Sequence, residues 1–496
     1  MKPIEWGKSF TGDDLPPGPN DDFYTGVKLS WDWYQGNLGF LLDAYREFGP
    51  VFTTRMMGMK IVWIIGAEAN QRMYVDDWRE FHWWGESIHG QLAGLIGEGL
   101  LASDGETHDK ARRLLDPVFS KTNLKKFVKT MIDETESQVQ QFRDGEQLDF
   151  YEWVYDLALD NASACFMGMD SDRVDTETLH KNFDICVEYY QEPIHVQALR
   201  GPGTPYWYFK KAKNKIDNVL EEEIQDRRRQ TDLADDNILD RLLEAEVDGE
   251  TFTDDEIHDQ ILNLYWAGHD TTISAISWLI MLVGKYPEVY ERLQTEVDER
   301  VGDAPVETEE VIEGLPYMEM VMDETLRLYP PAWVAFRKSQ SDIDIYGHTI
   351  PADTEVAFSS FATHRLPHLF ENPEAFNPER MKPENQRDFP PGAYIPFARG
   401  PRTCIGMNFA KYEIKLIVAT LLRHFDYELM PGQKYRGYPV ATLTPDEVLI
   451  ELNRRNGGNT SAVGAGSSIE QPGTPGSVDD AQSGPDTSGS SGCPVH

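Results

Sequence analysis

One cysteine of this 496-residue chain, Cys404, lies in a segment whose other residue types could support a metal-bound thiolate. The segment runs from Phe397 to Gly406 and reads F-A-R-G-P-R-T-C-I-G. Its two glycines let the backbone approach a flat ligand closely, and the arginine two positions before the thiol can neutralise an acidic substituent of that ligand. A helical pattern begins at Met407, so the thiol lies at a helix N-terminus, where free amides stabilise negative sulfur. These residues suit a thiolate-bound iron porphyrin, and an ordinary buried cysteine is the alternative interpretation.

A second group of polar residues interrupts a long apolar helix pattern that runs from Asp254 to Lys285. The group consists of Ala267, Gly268, His269, Asp270, Thr271 and Thr272. Thr253 and Glu256 form a capping-box pattern at the start of this helix, and about 32 residues at 1.5 Å each give a rod of roughly 48 Å. Because a glycine followed by polar side chains weakens the helix, we expect a bend or a widened turn at Gly268. The alternative is a tolerated glycine beside a solvated polar stripe.

The cysteine segment resembles the haem-binding signature of the cytochrome P450 family, F-x-x-G-x-R-x-C-x-G, at every fixed position. Glu324 and Arg327 are similar to the family's E-x-x-R on one helix face, and Arg380 resembles the second arginine of an Arg-Glu-Arg network. A Glu-Arg pair of this spacing is common on exposed helices and stabilises them by only about 0.2–0.5 kcal/mol. The order and spacing of these residues relative to Cys404 support the resemblance, which covers roughly Leu15 to Leu452.

The resemblance implies a haem b (iron protoporphyrin IX) cofactor and a haem-thiolate monooxygenase activity, with Cys404 as the iron ligand. One oxygen atom of O2 would enter a C–H bond or a double bond, and the other would leave as water. Asp270 is expected to gate proton delivery from solvent, and Thr271 is expected to hydrogen-bond the oxygen that receives the proton. The residues expected to bind the cofactor are His108, Arg112, Ala267, Arg337, Phe397, Arg402, Cys404 and Gly406.

Apolar segments predict a hydrophobic small-molecule substrate, such as a fatty acid, a terpenoid or a sterol-like lipid. The expected walls of the substrate pocket come from three places: residues 81–101 with Trp83, Trp84, Leu92, Leu95 and Ile96; Ala267 and Thr271; and residues 334–336. The expected entrance lid is residues 187–209. The segment after Cys404 is too short for a fused reductase, so we expect a separate electron donor, a ferredoxin with its reductase. A peroxide-driven or rearranging haem-thiolate enzyme and a non-catalytic haem sensor are the alternatives.

Acidic residues outnumber basic ones by 84 to 46, which gives a formal charge of −38. Such a chain repels nucleic acid. Salt at about 1 M shortens the Debye length to about 3 Å and screens the self-repulsion, so we expect a protein from a halophilic archaeon; an acidic protein of an ordinary cell is the alternative. No apolar run of signal-peptide or anchor length occurs near the N-terminus, and the four cysteines are widely spaced. We therefore expect a cytoplasmic protein without a membrane anchor or a disulfide framework.

The predicted fold class is mainly α with a minor β portion, and the resemblance implies a single large cytochrome P450 fold with the haem between a long central helix and the cysteine loop. Periodicity predicts helices at 124–142, 210–230, 254–285, 287–301 and 317–328, and short β-like segments at 51–54, 61–65, 343–345, 355–359 and near 448–452. We expect one haem domain over residues 1–455 and a disordered Gly/Ser/Pro-rich tail over 456–496. The tail holds four acids and no Lys or Arg, so the first 455 residues carry a charge of −34.

Overall fold

The computed structural model of the chain describes residues 15–455 except 20–22, 57–58, 84–92, 169–175, 193, 231–232, 234–236, 303–312, 434–436 and 440–441. The expected tail, residues 456–496, lies outside the described residues. The α-helices are α1 (Phe23–Tyr34), α2 (Gly39–Phe48), α3 (Ala67–Gln71), α4 (Ala93–Ile96), α5 (Gly105–Val118), α6 (Lys121–Val139), α7 (Phe150–Met167), α8 (Thr176–Gln191), α9 (Ile194–Gln197), α10 (Pro205–Arg228), α11 (Ile238–Glu244), α12 (Asp254–Lys285), α13 (Pro287–Arg300), α14 (Pro316–Leu328), α15 (Ser360–Thr363), α16 (Pro383–Gln386) and α17 (Met407–His424).

The strands are short and form small sheets. They are β1 (Val51–Met56), β2 (Met59–Ile64), β3 (Phe81–His82), β4 (Glu146–Asp149), β5 (Glu246–Val247), β6 (Glu250–Thr251), β7 (Ala335–Ser339), β8 (Ile343–Ile345), β9 (His348–Ile350), β10 (Glu355–Phe358), β11 (Phe425–Leu429), β12 (Gly437–Pro439), β13 (Leu443–Pro445) and β14 (Leu449–Arg454). The largest sheet has the order β1-β2-β10-β7-β3. Within it β2 and β10 are parallel, with Val356 opposite Val62 and Ala357 opposite Trp63, and the other pairs are antiparallel. The fold class, mainly α with a minor β portion, is confirmed.

The central helix α12 has the bounds that the sequence predicts, because its signals are local. The Glu256 N–H donates to Thr253 Oγ1 over 3.2 Å, and the Thr253 N–H donates to Glu256 Oε2 over 2.8 Å, so the capping box is formed. Every residue from Asp254 to Lys285 is α-helical, and the expected widened turn at Gly268 is wrong. The structure gives a different reason for this glycine, since a Cβ there would lie 3.2 Å from the Phe166 ring of α7.

Helices α7, α12, α14 and α17 contribute to the largest core. Their apolar residues recur with helical periodicity, and α17 buries Leu416, Ile417, Leu421 and Leu422 almost completely. A second core lies under the five-stranded sheet, where the fully buried Trp63 donates its indole N–H to Thr54 Oγ1 over 2.9 Å. The cores hold α12 and the start of α17 in fixed positions.

The Glu324-Arg327-Arg380 network forms as the sequence predicts. Arg327 donates from Nε to Glu324 Oε2 over 2.8 Å and from Nη2 to Glu324 Oε1 over 2.9 Å, while Arg380 Nε lies 3.3 Å from the same Oε1. Both Glu324 and Arg327 are fully buried. Arg327 also donates to the carbonyls of His364 and Pro373, so the network joins α14 to the segments on either side of residue 370.

A helix that spans a membrane must be both long and apolar. Among the described residues, none of the helices combines the length and the apolar character needed to cross a lipid bilayer.

Candidate functional site

The loop before α17 holds Cys404 in place through backbone contacts. The Cys404 N–H donates to the Phe397 carbonyl over 2.8 Å, and Gly406 is the N-cap of α17. Gly400 has a φ of +63°, and a Cβ there would collide with the Tyr74 carbonyl. Close packing against a neighbouring segment therefore requires a glycine at 400.

The Cys404 side chain is exposed, but it faces an internal cavity of about 960 Å3 rather than the outer surface. Burial raises the pKa of the Cys404 thiol, while the Gly406 N–H and the Arg112 cation act to lower it. A metal cation bound to the sulfur would remove the proton directly.

Four basic side chains line the same cavity as the thiol: His108, Arg112, Arg337 and Arg402. Arg402 donates to Ser103 O over 2.9 Å and to Asp104 Oδ1 over 2.7 Å. Arg112 donates to Thr403 O over 3.0 Å and pairs with Asp116 over 2.8 Å. These contacts place α5, β7 and the cysteine loop around one positively charged wall.

The positive wall is not fully neutralised by the described residues. The Nε atoms of Arg337 and Arg402 are buried without a hydrogen-bond partner. Burial lowers the pKa of Arg337 to about 9 and that of Arg402 to about 10. Burial and the Arg402 cation also lower the pKa of His108 to about 4, so this imidazole is neutral near pH 7. A ligand with two acidic groups beside a thiolate-bound metal fits this donor set.

The opposite wall of the cavity is apolar and comes from α12. Ala267, Gly268 and Thr271 line it, and Phe397 and Gly406 line the side of the cysteine loop. The Thr271 hydroxyl donates to the Ala267 carbonyl over 2.8 Å. All eight residues expected to bind the cofactor thus border one cavity, together with Thr271.

Asp270 is the one expected site residue that does not line the cavity. Its Oδ2 accepts a hydrogen bond of 2.8 Å from the Thr442 hydroxyl, in the segment just before β13. Burial raises the pKa of Asp270, and this hydrogen bond lowers it. The carboxyl group therefore lies behind the cavity wall, against a hairpin to which the sequence analysis assigned no role.

Some of the residues expected to form the substrate walls line the cavity, and others do not. Val334, Ala335 and Phe336 line the cavity, whereas Leu95 and Ile96 are buried in the largest core and do not. Trp83 lines the cavity, but its ring packs against the Arg337 guanidinium at 3.2 Å from the ring centroid. Trp83 therefore packs against a side chain of the positively charged wall. Trp84 and Leu92 lie outside the described residues.

Two segments border the mouth of the cavity, and the sequence predicted only one of them. Tyr190, Glu192 and Gln197 come from the predicted lid region, and Trp33 and Tyr34 come from α1. Aromatic residues near the N-terminus of a chain usually pack in the core, so no sequence signal separated these two from ordinary core residues.

Comparison with known proteins agrees with this geometry. A sequence profile described as Cytochrome P450 matches residues 16–443. Cytochrome P450 120 of Synechocystis sp. is 29% identical over 430 residues, which are 84% of this chain and 92% of the relative. Cyclooctat-9-en-7-ol 5-monooxygenase of Streptomyces melanosporofaciens is 32% identical over 353 residues, which are 68% of this chain and 74% of the relative.

A solved structure described as retinoic acid bound cyanobacterial CYP120A1 has the same fold. It superposes with a TM-score of 0.77 at 26% identity, over 86% of this chain and 96% of that chain. The fold is therefore shared over most of this chain.

Proposed function

The chain belongs to the cytochrome P450 family, and we propose that Cys404 is the thiolate ligand of its haem iron. The chain is a cytochrome P450 monooxygenase, an enzyme that uses O2 and electrons from a redox partner to oxidise an organic substrate. Haem iron bound by a thiolate supplies reductive activation of O2, with one oxygen atom entering the substrate and the other leaving as water. The observation that carries the assignment is that the Cys404 sulfur and four basic side chains border one cavity.

The cofactor is haem b, held through its two propionate groups. Arg112, Arg337 and Arg402 supply cationic donors, and His108 supplies one neutral N–H donor. The unpartnered Nε atoms of Arg337 and Arg402 point to acidic oxygens at this wall. Phe397 on the cysteine loop and Ala267 on α12 line the cavity, and they would help to exclude water from the sulfur and from the reacting side.

Asp270 and Thr271 move protons on the α12 side of the cavity. The Thr271 hydroxyl lines the cavity and hydrogen-bonds to the Ala267 carbonyl, so its oxygen is held at a fixed depth. Asp270 lies one residue earlier on α12, and burial raises the pKa of its carboxyl group, which favours the protonated form. Thr271 positions the proton and Asp270 supplies it.

The substrate is hydrophobic and carries no carboxylate. Val334, Ala335 and Phe336 give the cavity apolar walls. Once the basic residues hold propionates, the one charged side chain left among the described lining residues is Glu192, which is exposed at the mouth. An acidic substrate would meet a like charge there, whereas a terpenoid alcohol or a sterol-like lipid would meet a hydrogen-bond acceptor.

The electron donor is a separate acidic protein, a ferredoxin reduced by its own reductase. The first turns of α6 carry Lys121, Lys125, Lys126 and Lys129, all exposed, with no acidic residue between them. Lys129 pairs with Asp133, so part of this charge is offset. In a chain of net charge −38, such a basic segment gives an acidic partner a place to approach. The segment packs beside α5, which holds Arg112 against the cysteine loop.

We also propose that the protein works at high ionic strength, in the cytoplasm of a halophilic cell. The charge of −38 supports this setting, because it is spread over the body of the chain rather than confined to its acidic tail residues.

Turnover measurements test the proposed function. The purified haem protein is titrated with uncharged terpenoids and sterols and with fatty acids, and binding is read from the spin-state shift of the haem spectrum. Ligands that bind are then incubated with ferredoxin, reductase and NADPH, with and without O2. Product that needs both reductant and O2 supports the monooxygenase. A parallel incubation contains peroxide without reductant. Product formed from peroxide but not from reductant and O2, product formed without any oxidant, or no product from any bound ligand would contradict it in favour of the peroxide-driven enzyme, the rearranging enzyme or the sensor, respectively.

A further inference from the structure

A short chain of hydrogen-bonded hydroxyl groups leads from a half-buried threonine to Asp270. Thr442 Oγ1 lies 2.8 Å from Asp270 Oδ2, and Thr444 Oγ1 lies 2.7 Å from Thr442 Oγ1. Thr442 is buried and Thr444 is half-buried. Beyond Pro445 the chain continues with Asp446 and Glu447, which are both exposed. The three oxygens therefore connect the region near the surface with a carboxyl group behind the cavity wall.

The number of hydrogens that each hydroxyl can donate determines the direction of these two hydrogen bonds. A threonine hydroxyl has one hydrogen to donate and two lone pairs that accept. The hydrogen of Thr442 is donated to the Asp270 carboxylate, so the bond between the two threonines must have Thr444 as its donor. Both hydrogen bonds then point toward Asp270. This is the arrangement in which a proton arriving at Thr444 is passed inward.

The hairpin that carries the threonines is fixed to α12. The carbonyl of Leu443, the residue between them, accepts hydrogen bonds of 2.7 Å from Ser274 Oγ and 2.8 Å from Trp278 Nε1. Both donors lie on α12, one and two turns beyond Asp270, and both are buried. The distance between the hydroxyl chain and the carboxyl group is thus set by contacts that do not involve the hydroxyls themselves.

We propose that Thr444, Thr442 and Asp270 form the relay that brings protons from solvent to Thr271, a role that rests on the proposed monooxygenase function. A hydronium ion gives a proton to Thr444 Oγ1 and leaves as water, the original hydroxyl proton of Thr444 moves to Thr442 Oγ1, and the original hydroxyl proton of Thr442 moves to Asp270 Oδ2. Each threonine ends with one proton, one O–H bond is gained at Asp270, and no electron is transferred. The protonated carboxyl group then supplies the proton toward Thr271, the next residue of α12, and rotation of the hydroxyls resets the chain.

The other titratable groups that face Asp270 do not compete for this role. Tyr151 and Tyr155 on α7 are the ones that respond to its charge, and burial together with nearby carboxylates raises the pKa of both phenols. They therefore stay protonated and neutral. The adjacent His269 is buried and its pKa is lowered to about 3, so this imidazole is neutral as well.

The first test compares coupling, the product formed per reductant consumed, in three variants of the holoenzyme. Thr442→Val keeps the shape of the side chain and removes the hydroxyl, so coupling should fall by about 10-fold or more while peroxide release rises. Thr442→Ser restores a hydroxyl and should rescue coupling. Tyr438→Phe is the matched control, because Tyr438 lies opposite Thr444 in the β12–β13 pair and its exposed hydroxyl is outside the relay. Unchanged coupling in Thr442→Val, with normal ligand binding and a normal reduced carbon monoxide spectrum, would overturn the proposal.

The second test does not need turnover. Infrared difference titration of the resting protein follows the protonated carboxyl band that Asp270→Asn removes. Loss of the Thr442 hydrogen bond to a carboxylate should raise the Asp270 pKa by about 1 to 2 pH units in Thr442→Val. If the wild type forms no product at all, the proposed function fails while this titration still decides whether the hydroxyl chain reaches Asp270. A pKa that is the same in Thr442→Val and in the wild type would overturn the relay, and so would a raised pKa with unchanged coupling.

Discussion

At the scale of single residues, the basic side chains around the cavity differ in how much protein charge already neutralises them. Arg112 and Arg402 each pair with an aspartate, whereas Arg337 donates to a backbone carbonyl and packs on Trp83. A buried cation without a carboxylate partner is costly unless a ligand supplies the counter-charge. Arg337 is therefore the residue whose environment argues most strongly for an anionic group in the cavity.

The first prediction concerns the sulfur. Replacing Cys404 with His should abolish the red-shifted Soret band of the reduced carbon monoxide complex, because that band requires a thiolate on the iron opposite the gas. The measurement is a difference spectrum of the purified variant reconstituted with haem. Cys186→Ser is the matched control, since Cys186 is buried against α10 and does not line the cavity. A retained band in Cys404→His would mean that another residue binds the iron.

The residues that the sequence predicts to bind the cofactor line one cavity, and each of them lies in a short motif or at a fixed distance from one. The same reasoning missed Thr442 and Thr444. Hydroxyl residues in turns are common and carry no periodic signal, and the hydrogen bond from Thr442 to Asp270 spans 172 residues of sequence.

At the scale of secondary-structure elements, the helices that frame the site are joined by buried polar groups. Arg327 and Glu324 on α14 are fully buried, and the guanidinium donates to carbonyls in two later segments. Removing one partner of such a pair leaves the other buried and unpaired, which costs much more than the loss of an exposed pair. The network therefore stabilises the packing of α14 more than an i, i+3 pair on a helix surface would.

The second prediction follows from that difference. Arg327→Met should lower the free energy of unfolding by about 3–5 kcal/mol, because it leaves Glu324 Oε2 and the backbone carbonyls of His364 and Pro373 without the Arg327 donor, while Arg380 still reaches only Glu324 Oε1. Arg113→Met, which breaks an exposed pair with Glu250, should lower it far less. Urea unfolding followed by circular dichroism measures both. Equal losses in the two variants would show that the buried network has no special role.

The third prediction concerns the contact between α10 and α12. His258 of α12 lies 3.2 Å from Asp217 of α10 and 3.1 Å from Asp259. Burial lowers the pKa of His258, but the two carboxylates outweigh it and raise the pKa to about 9. A raised pKa means that the stabilisation is complete below the unfolded value of about 6.5 and is lost as the pH rises toward 9.

We therefore expect the wild type to lose about 1 to 3 kcal/mol of unfolding free energy relative to His258→Gln between about pH 6 and about pH 9. Urea unfolding of both proteins across this range measures the difference, and the comparison removes the effect of groups that titrate in both. If the difference between the two proteins does not change with pH, His258 is not charged in the folded chain.

The elements differ in how well the sequence predicts them. Helix α12 is predicted to the residue, because its capping box and its periodicity are local. The helices predicted at 124–142 and 210–230 begin three and five residues earlier in the structure, at Lys121 and Pro205. The initial residues of these helices are polar or aromatic and do not extend the apolar period, whereas the N-caps Ser120 and Thr204 mark the true starts.

At the scale of the whole molecule, the charge of −38 acts on every part of the fold at once. At low ionic strength the Debye length exceeds the spacing of surface carboxylates, so their repulsion adds up and favours the expanded chain. Ion pairs between exposed groups offset little of it, since such pairs contribute about 0–1 kcal/mol each.

The fourth prediction is that thermal stability depends strongly on salt. Lowering KCl from about 3 M to about 0.1 M should lower the unfolding temperature by several degrees, because the Debye length grows to about 10 Å. Thermal unfolding followed by circular dichroism measures the shift. Sucrose at low salt is the control, since it favours compact states without screening charge. An unfolding temperature that is the same at both salt concentrations would contradict the proposed halophilic setting.

The parallel pairing of β2 with β10 ties residues near 62 to residues near 356. A ribosome that adds about 5–20 residues per second needs roughly 15 to 60 s to synthesise the stretch between them. During that time β2, with its Trp63, lacks the neighbour that completes its sheet, and the nascent chain exposes an apolar strand edge. The N-terminal strands are therefore the part of this protein that most needs a chaperone during translation.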